Sequence, residues 1–189
     1  GAVFSAPVLV NAAGAWGDEV ARLAGVAPVG LQPKRRTALI VDPGAHDCTA
    51  WPLLGDAAHS WYVRPEARRK LMVSPADETD MAPCDVQPDE LDVALAVERM
   101  QQALDIPVHR VEHRWAGLRS FTPDRSLAIG ADAEAPGFFW MIGQGGYGIQ
   151  TAPAAGALLA ALVRGEHPGA SLAAVVPLVD PNRFRGGRA

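Results

Sequence analysis

Only two cysteines, Cys48 and Cys84, occur in 189 residues, and neither sits in a C-x-x-C or other metal-ligating spacing. That excludes a disulfide scaffold and points to a reducing compartment, with the cytoplasm as the expected location. Positive charge is not in excess either. Seventeen basic residues stand against 21 acidic ones, for a net charge of −4, so no nucleic-acid partner is expected. The terminal cluster Arg183-Phe184-Arg185-Gly186-Gly187-Arg188 reads as a frayed tail rather than a binding arm. Long apolar runs are missing: residues 152–163 are too few to span a bilayer, no secretory signal pattern appears, and membrane association is not indicated. Five histidines (His46, His59, His109, His113, His167) show no metal spacing. His109 and His113 are four apart but fall on a predicted strand, on one face and about 13 Å from each other. No metal site is expected. There is no Ser–His–Asp grouping, no internal repeat and no low-complexity tract.

What remains is ordinary globular material, 49% hydrophobic and 20% charged. That length buries one good core or two small ones. The chain opens Gly1-Ala2-Val3-Phe4 without an initiator methionine, and is expected to be a piece of something longer. Residues 7–10 read as a short apolar strand, Asn11-Ala12-Ala13-Gly14 as a tight turn, and residues 18–24 as a helix. Its expected buried face is Val20, Leu23 and Ala24, with Gly25 closing it.

From residue 32 to 111 the character changes. Residues 36–41, 60–64 and 70–74 read as strands, with turns at Pro43-Gly44 and Pro65-Glu66. Pro88-Asp89-Glu90 starts a helix, with Val93, Val97, Met100 and Leu104 on one face and Pro107 ending it. Residues 108–115 form another alternating strand, with Val111, His113 and Trp115 on one side. This block is an antiparallel sheet with one packed helix. The expected division is residues 1–31 with 116–189, and an inserted unit at 32–115; the fold class is α/β (α+β).

The most informative stretch lies at 137–163. Phe138–Ile142 is a buried strand, four glycines follow (Gly143, Gly145, Gly146, Gly148), and a small-residue helix begins at once. Backbone N–H groups at a helix start suit an anionic or carbonyl oxygen, and glycines let a ligand come close; the expected occupant is a cofactor. Gly143, Gly145 and Gly148 satisfy G-x-G-x-x-G, but the dinucleotide fingerprint needs a following strand ending in an acid. Glu166 has the distance and the wrong setting. Arg164-Gly165-Glu166-His167-Pro168-Gly169 is a helix stop and turn, so no pyrophosphate site is read here.

Three motifs in order carry a family resemblance: Val10-Asn11-Ala12-Ala13-Gly14-Ala15-Trp16; Trp115-Ala116-Gly117-Leu118-Arg119 with Thr122-Pro123-Asp124; and Gly143-Gln144-Gly145-Gly146-Tyr147-Gly148 before Ala152-Pro153. Over residues 7–163 the chain resembles the D-amino-acid oxidase/glycine oxidase superfamily of FAD-dependent oxidoreductases. It resembles the carboxyl-terminal half to two-thirds of such an enzyme. The strand, G-x-G-x-x-G turn and helix that bind the ADP part of FAD in that family have no counterpart in these residues. These 189 residues alone are therefore expected to hold FAD poorly or not at all.

The resemblance implies an FAD-binding sheet-and-helix domain interrupted by an antiparallel substrate domain, with FAD noncovalent. It implies cofactor contacts at Ala12, Ala13, Gly14, Trp16, Gly117, Gly145, Gly146, Tyr147, Gly148, Ile149 and Gln150. The amides around 146–149 would face the flavin edge where negative charge grows on reduction. Arg119 is the expected anchor for a substrate carboxylate, since a guanidinium holds it as a planar fork. Tyr147 and Tyr62 are the candidate phenols bordering substrate. No catalytic base is nominated.

The resulting expectation is hydride transfer from the α-carbon of a small amino acid or amine to flavin N5, with dioxygen or a quinone as electron acceptor. Two alternatives stay open: a 2-hydroxy-acid dehydrogenase, because arginine holds either carboxylate, and a non-catalytic fragment or interaction module.

Overall fold

A computed structural model describes residues 2–185; Gly186, Gly187 and Arg188 of the basic cluster lie outside them. In chain order the elements are β1 (Leu9–Asn11), α1 (Gly17–Leu23), β2 (Gln32–Val41), β3 (Leu54–Gly55), β4 (Tyr62–Glu66), β5 (Lys70–Ser74) and α2 (Glu90–Ala103). There follow β6 (Val111–Phe121), β7 (Ala128–Ala131), β8 (Phe138–Ile142), α3 (Gly148–Arg164), α4 (Ala170–Ala173) and α5 (Val176–Val179). Short 3-10 turns occupy 14–16, 67–69 and 181–184. The chain divides into two compact units, Gly1–Pro33 with Arg119–Ala189, and Lys34–Leu118.

The first unit is layered about a three-stranded sheet, β1-β8-β7. β8 pairs parallel with β1 and antiparallel with β7. Alternation along β8 sends Phe138, Trp140 and Ile142 into one cluster with Ala21, Val26 and Val29, and Met141 to the other face, against Ile129, Leu158 and Ala155 of α3. Trp140 is fully buried, packs edge-on to Phe138 at 5.1 Å, and donates its indole N–H to Asp132 at 2.9 Å. Removing that ring would cost about 3–5 kcal/mol.

α1 does not bury the expected face. Gly17, Asp18 and Ala21 are inward, while Leu23 is 88% exposed. The cause is Asp18, whose carboxylate accepts from the N–H groups of Val29, Gly30 and Leu31 at 2.8–3.1 Å. Those bonds turn a polar residue inward and rotate the helix. α3 ends on Gly165 at φ +66, with Glu166 N–H bonded to the Ala161 carbonyl and Gly165 N–H to that of Leu162, a Schellman stop. It leads on to α4 and α5, not to another strand.

The second unit centres on the sheet β3-β4-β5-β2-β6, whose Leu39, Val41, Val63, Leu71 and Val73 pack against Val93, Ala96 and Met100 of α2. Asp89 caps α2, accepting from Leu91 N–H at 2.9 Å, and Leu104 returns to extended backbone. Pro65-Glu66 is not a turn: both pair within the ladder, opposite Leu71 and Lys70, and the reversal is at 67–69. Pro65 is tolerated because β3 pairs only as far as Val63, so no bond is asked of its missing N–H. β6 begins at Val111 rather than 108 and runs on to Phe121. Ala116-Gly117 does not interrupt it, and Trp115 is 44% exposed. No helix among the described residues is long and apolar enough to cross a membrane.

Candidate functional site

Parallel pairing places Asn11 opposite Trp140, so β1 and β8 leave the sheet at the same end. Ala128 opens β7 opposite Ile142, which brings the loop before β7 to that end too. Three connections therefore converge there: residues 12–16, 122–127 and 143–147. In open sheets with parallel strands, ligands bind beyond the carboxyl ends of the strands.

Asn11 shapes the first connection. It is 1% exposed, donates Nδ2–H to the Gly17 carbonyl at 2.8 Å, and accepts from Ala13 N–H at 3.3 Å. Gly14 holds φ +57 with open space where a Cβ would stand. Ala12 and Trp16 are exposed and Ala13 half-buried. Gly17 then brings α1 onto Ile142, whose Cγ2 would lie 3.0 Å from an added Cβ.

The second connection is locked by Asp124. Its carboxylate accepts from Ser126 N–H at 3.0 Å and from Arg183 Nε and Nη2 at 2.7 and 3.1 Å. The bond from Arg183 holds its carboxyl far below the ordinary carboxylate range, with Ser126 and Thr122 adding to it and partial burial opposing. Thr122 Oγ1 lies 2.6 Å from the Ser126 carbonyl. The Arg125 guanidinium rests 4.0 Å from the Phe121 ring centre.

The glycine turn is fitted to this frame by the chain's own atoms. A Cβ at Gly143 would lie 2.8 Å from Thr122 Cγ2, at Gly145 2.7 Å from Phe121 Cε1, at Gly146 2.8 Å from Arg119 Nη1, and at Gly148 2.8 Å from Gln144 Cβ. Close approach is real at all four, and protein side chains make it. Arg119 and Phe121, two apart on β6, share the strand face turned to the glycines. Gly145 N–H donates to the Ser120 carbonyl at 2.9 Å, and the Tyr147 hydroxyl donates to that of Arg125 at 2.6 Å. Desolvation, with Asp124 nearby, pushes the Tyr147 phenol above its usual pKa.

α3 begins without a side-chain cap and without an acid in its first turn. Gly146, Ile149 and Gln150 are exposed, Ile149 at 97%. The positive end of the helix dipole thus meets no carboxylate of its own first turn. These features suit the electron-rich edge of a flavin. Tyr62 and Gly117 belong to the second unit: Tyr62 is half-buried between Gly55 and Ser74 on β4, and Gly117 has open space where a Cβ would stand. No group of three or more His, Cys, Asp or Glu among the described residues could hold a metal ion. Sequence reasoning gave no site role to Asn11, Phe121 or the Asp124–Arg183 pair, and Arg183, expected in a frayed tail, is instead bonded to Asp124 and to the Ser126 and Leu127 carbonyls. The first is visible as a polar residue ending an apolar strand; the last joins residues 59 positions apart and leaves no local signal.

Solved structures share this architecture. L-proline dehydrogenase from P. horikoshii superposes with a TM-score of 0.75 at 23% identity, over 95% of this chain and 47% of that one. Glycine oxidase from Geobacillus kaustophilus gives 0.71 at 20% identity, over 87% and 43%. At such identity the likeness speaks for the fold. The family description "FAD dependent oxidoreductase" (DAO) matches residues 1–162, and the chain belongs to that family. Among curated relatives, FAD-dependent oxidoreductase domain-containing protein 1 of Bos taurus is 27% identical over 178 residues, covering 85% of this chain. The chain spans 36% of that relative's length.

Proposed function

We propose that the protein carrying this chain oxidises a small amino acid or amine, with Arg119 holding the substrate carboxylate at the carboxyl end of the β1-β8 pair. The observation that carries the reading is the position of Arg119 directly over Gly146, two residues before an uncapped helix start. When bound, FAD supplies the acceptor for a hydride leaving the substrate α-carbon.

The chain's own residues have three tasks in this reading. The amides at 146–149 and the α3 dipole stabilise negative charge developing on the ring system they face. Ala12, Ala13 and Gly14, with Trp16, Gly145, Tyr147, Gly148 and Gln150, border the noncovalent cofactor. Arg119 orients the substrate by a two-pronged bond to its carboxylate. Tyr147 contributes its ring, since its hydroxyl proton is committed to Arg125. Tyr62 as a substrate-bordering phenol and Gly117 as a cofactor contact are proposed on the family resemblance alone. An amino-acid donor is preferred over a 2-hydroxy acid because solved structures that share the fold include, by name, a proline dehydrogenase and a glycine oxidase. The protein is proposed to be cytoplasmic, on its sparing use of cysteine.

The test is a substrate panel on the full-length protein. Amino acids and their 2-hydroxy analogues are compared under dioxygen and with an artificial quinone acceptor. Turnover of amino acids over hydroxy acids supports the proposal; the reverse preference, or no turnover of either class, removes it.

A further inference from the structure

We infer that Gly146 is a positioning residue: its missing side chain is the seat on which the Arg119 guanidinium is laid, and thereby sets the site's grip on a substrate carboxylate. This rests on the reading of Arg119 given above and adds a second residue to it.

The four glycines of the turn are not equivalent. Gly143 and Gly145 have φ of +79 and +51, backbone that side-chain-bearing residues rarely adopt, so conformation alone accounts for them. Gly148 would meet Gln144 at its Cβ, an atom that cannot swing away. Gly146 has neither constraint. It is not among the residues of positive φ, it is exposed, and the three nearest atoms to an added Cβ all belong to one group. Nη1, Cζ and Nε of Arg119 would lie at 2.8, 3.0 and 3.3 Å. Three atoms of a planar group at similar range place the guanidinium broadside to the glycine. Only hydrogen at this position lets it lie there.

The consequence is separable from folding. The guanidinium is the far end of a flexible side chain, whereas the turn is backbone tied by the Gly145 N–H bond to the Ser120 carbonyl, so an alanine at 146 displaces Arg119 rather than the turn. Recognition of a carboxylate by a planar fork depends on direction as well as charge. Loss of one well-aligned charge-assisted hydrogen bond weakens binding about 10- to 100-fold.

The test uses the full-length protein with its flavin, and acetate as the carboxylate probe, with methyl acetate as its uncharged counterpart. Binding is measured by calorimetry for wild type, Gly146→Ala, Arg119→Leu and the double variant. The expected result is that Gly146→Ala weakens acetate binding, per flavin bound, about 10- to 100-fold, leaves methyl acetate binding unchanged, and adds nothing once Arg119 is leucine. If Arg119→Leu weakens acetate but Gly146→Ala does not, or if the two losses simply add, the seat is refuted while Arg119 keeps its role. If Arg119→Leu itself leaves acetate binding intact, the reading of Arg119 fails and the seat with it. A Gly146→Ala protein that does not fold also refutes the inference, because the argument requires that only a mobile side chain be displaced.

Discussion

The Tyr147 hydroxyl donates to the main-chain carbonyl of Arg125 across 2.6 Å, tying the residue before α3 to the loop before β7. Tyr147→Phe removes that bond and keeps the ring against Gly145. It should lower stability by about 0.5–1.5 kcal/mol in denaturant titration and leave the substrate KM within about threefold. A raised phenol pKa adds a pH signature. The neutral form is the one favoured by the fold, so its contribution is full below the ordinary tyrosine pKa of about 10 and is lost as pH rises through the higher folded value. The phenylalanine variant should lose that part of the alkaline sensitivity.

Gly145 and Gly146 are adjacent and should respond oppositely. Gly145→Ala forces a side chain into φ +51 and against the Phe121 ring, costing about 1–2 kcal/mol or more. Gly146→Ala should shift the thermal midpoint very little. Parallel melts of the two variants check this, and equal destabilisation would speak against the difference drawn between them.

Asp124 and Arg183 predict the acid behaviour of the first unit. The Asp124 carboxyl is depressed by its bond from Arg183, so its stabilising contribution is present above about pH 4, the ordinary aspartate range, and is lost as pH falls toward the folded value. Asp124→Asn should be less stable than wild type at neutral pH, and the gap should close on acidification. A gap that persists unchanged in strong acid would show that charge is not the cause.

Much of the frame was legible from the chain itself. Phe138–Ile142 and the helix after it announce themselves as an apolar run, a glycine cluster and a small-residue stretch closed by Gly165. α2 is legible because proline, acids and a regular apolar face agree. The failures have one physical origin, which is that tertiary bonds override local pattern. Periodicity gives α1 a Val20–Leu23 face because it cannot see Asp18 reaching Val29, Gly30 and Leu31. Pro65 looks like a turn until β3 is known to end before it. The glycine turn's location was evident, yet nothing local says that Thr122, Phe121 and Arg119 are what Gly143, Gly145 and Gly146 admit.

The two thiols should differ sharply. Cys48 is 1% exposed, and burial, with Asp47 beside it, pushes its pKa up; Cys84 is partly accessible. Since the thiolate is the reactive form, a thiol reagent should modify one cysteine in the native protein and both after denaturation. Rapid native labelling of Cys48 would contradict the packing described for the second unit.

The most direct measurement is the steady-state kinetics of Arg119→Leu in the full-length, flavin-loaded protein with its best amino-acid substrate. Loss of a carboxylate anchor predicts a KM raised about 100-fold or more, with kcat changed far less and flavin content intact. A KM equal to that of the wild type would place substrate recognition elsewhere and contradict the account.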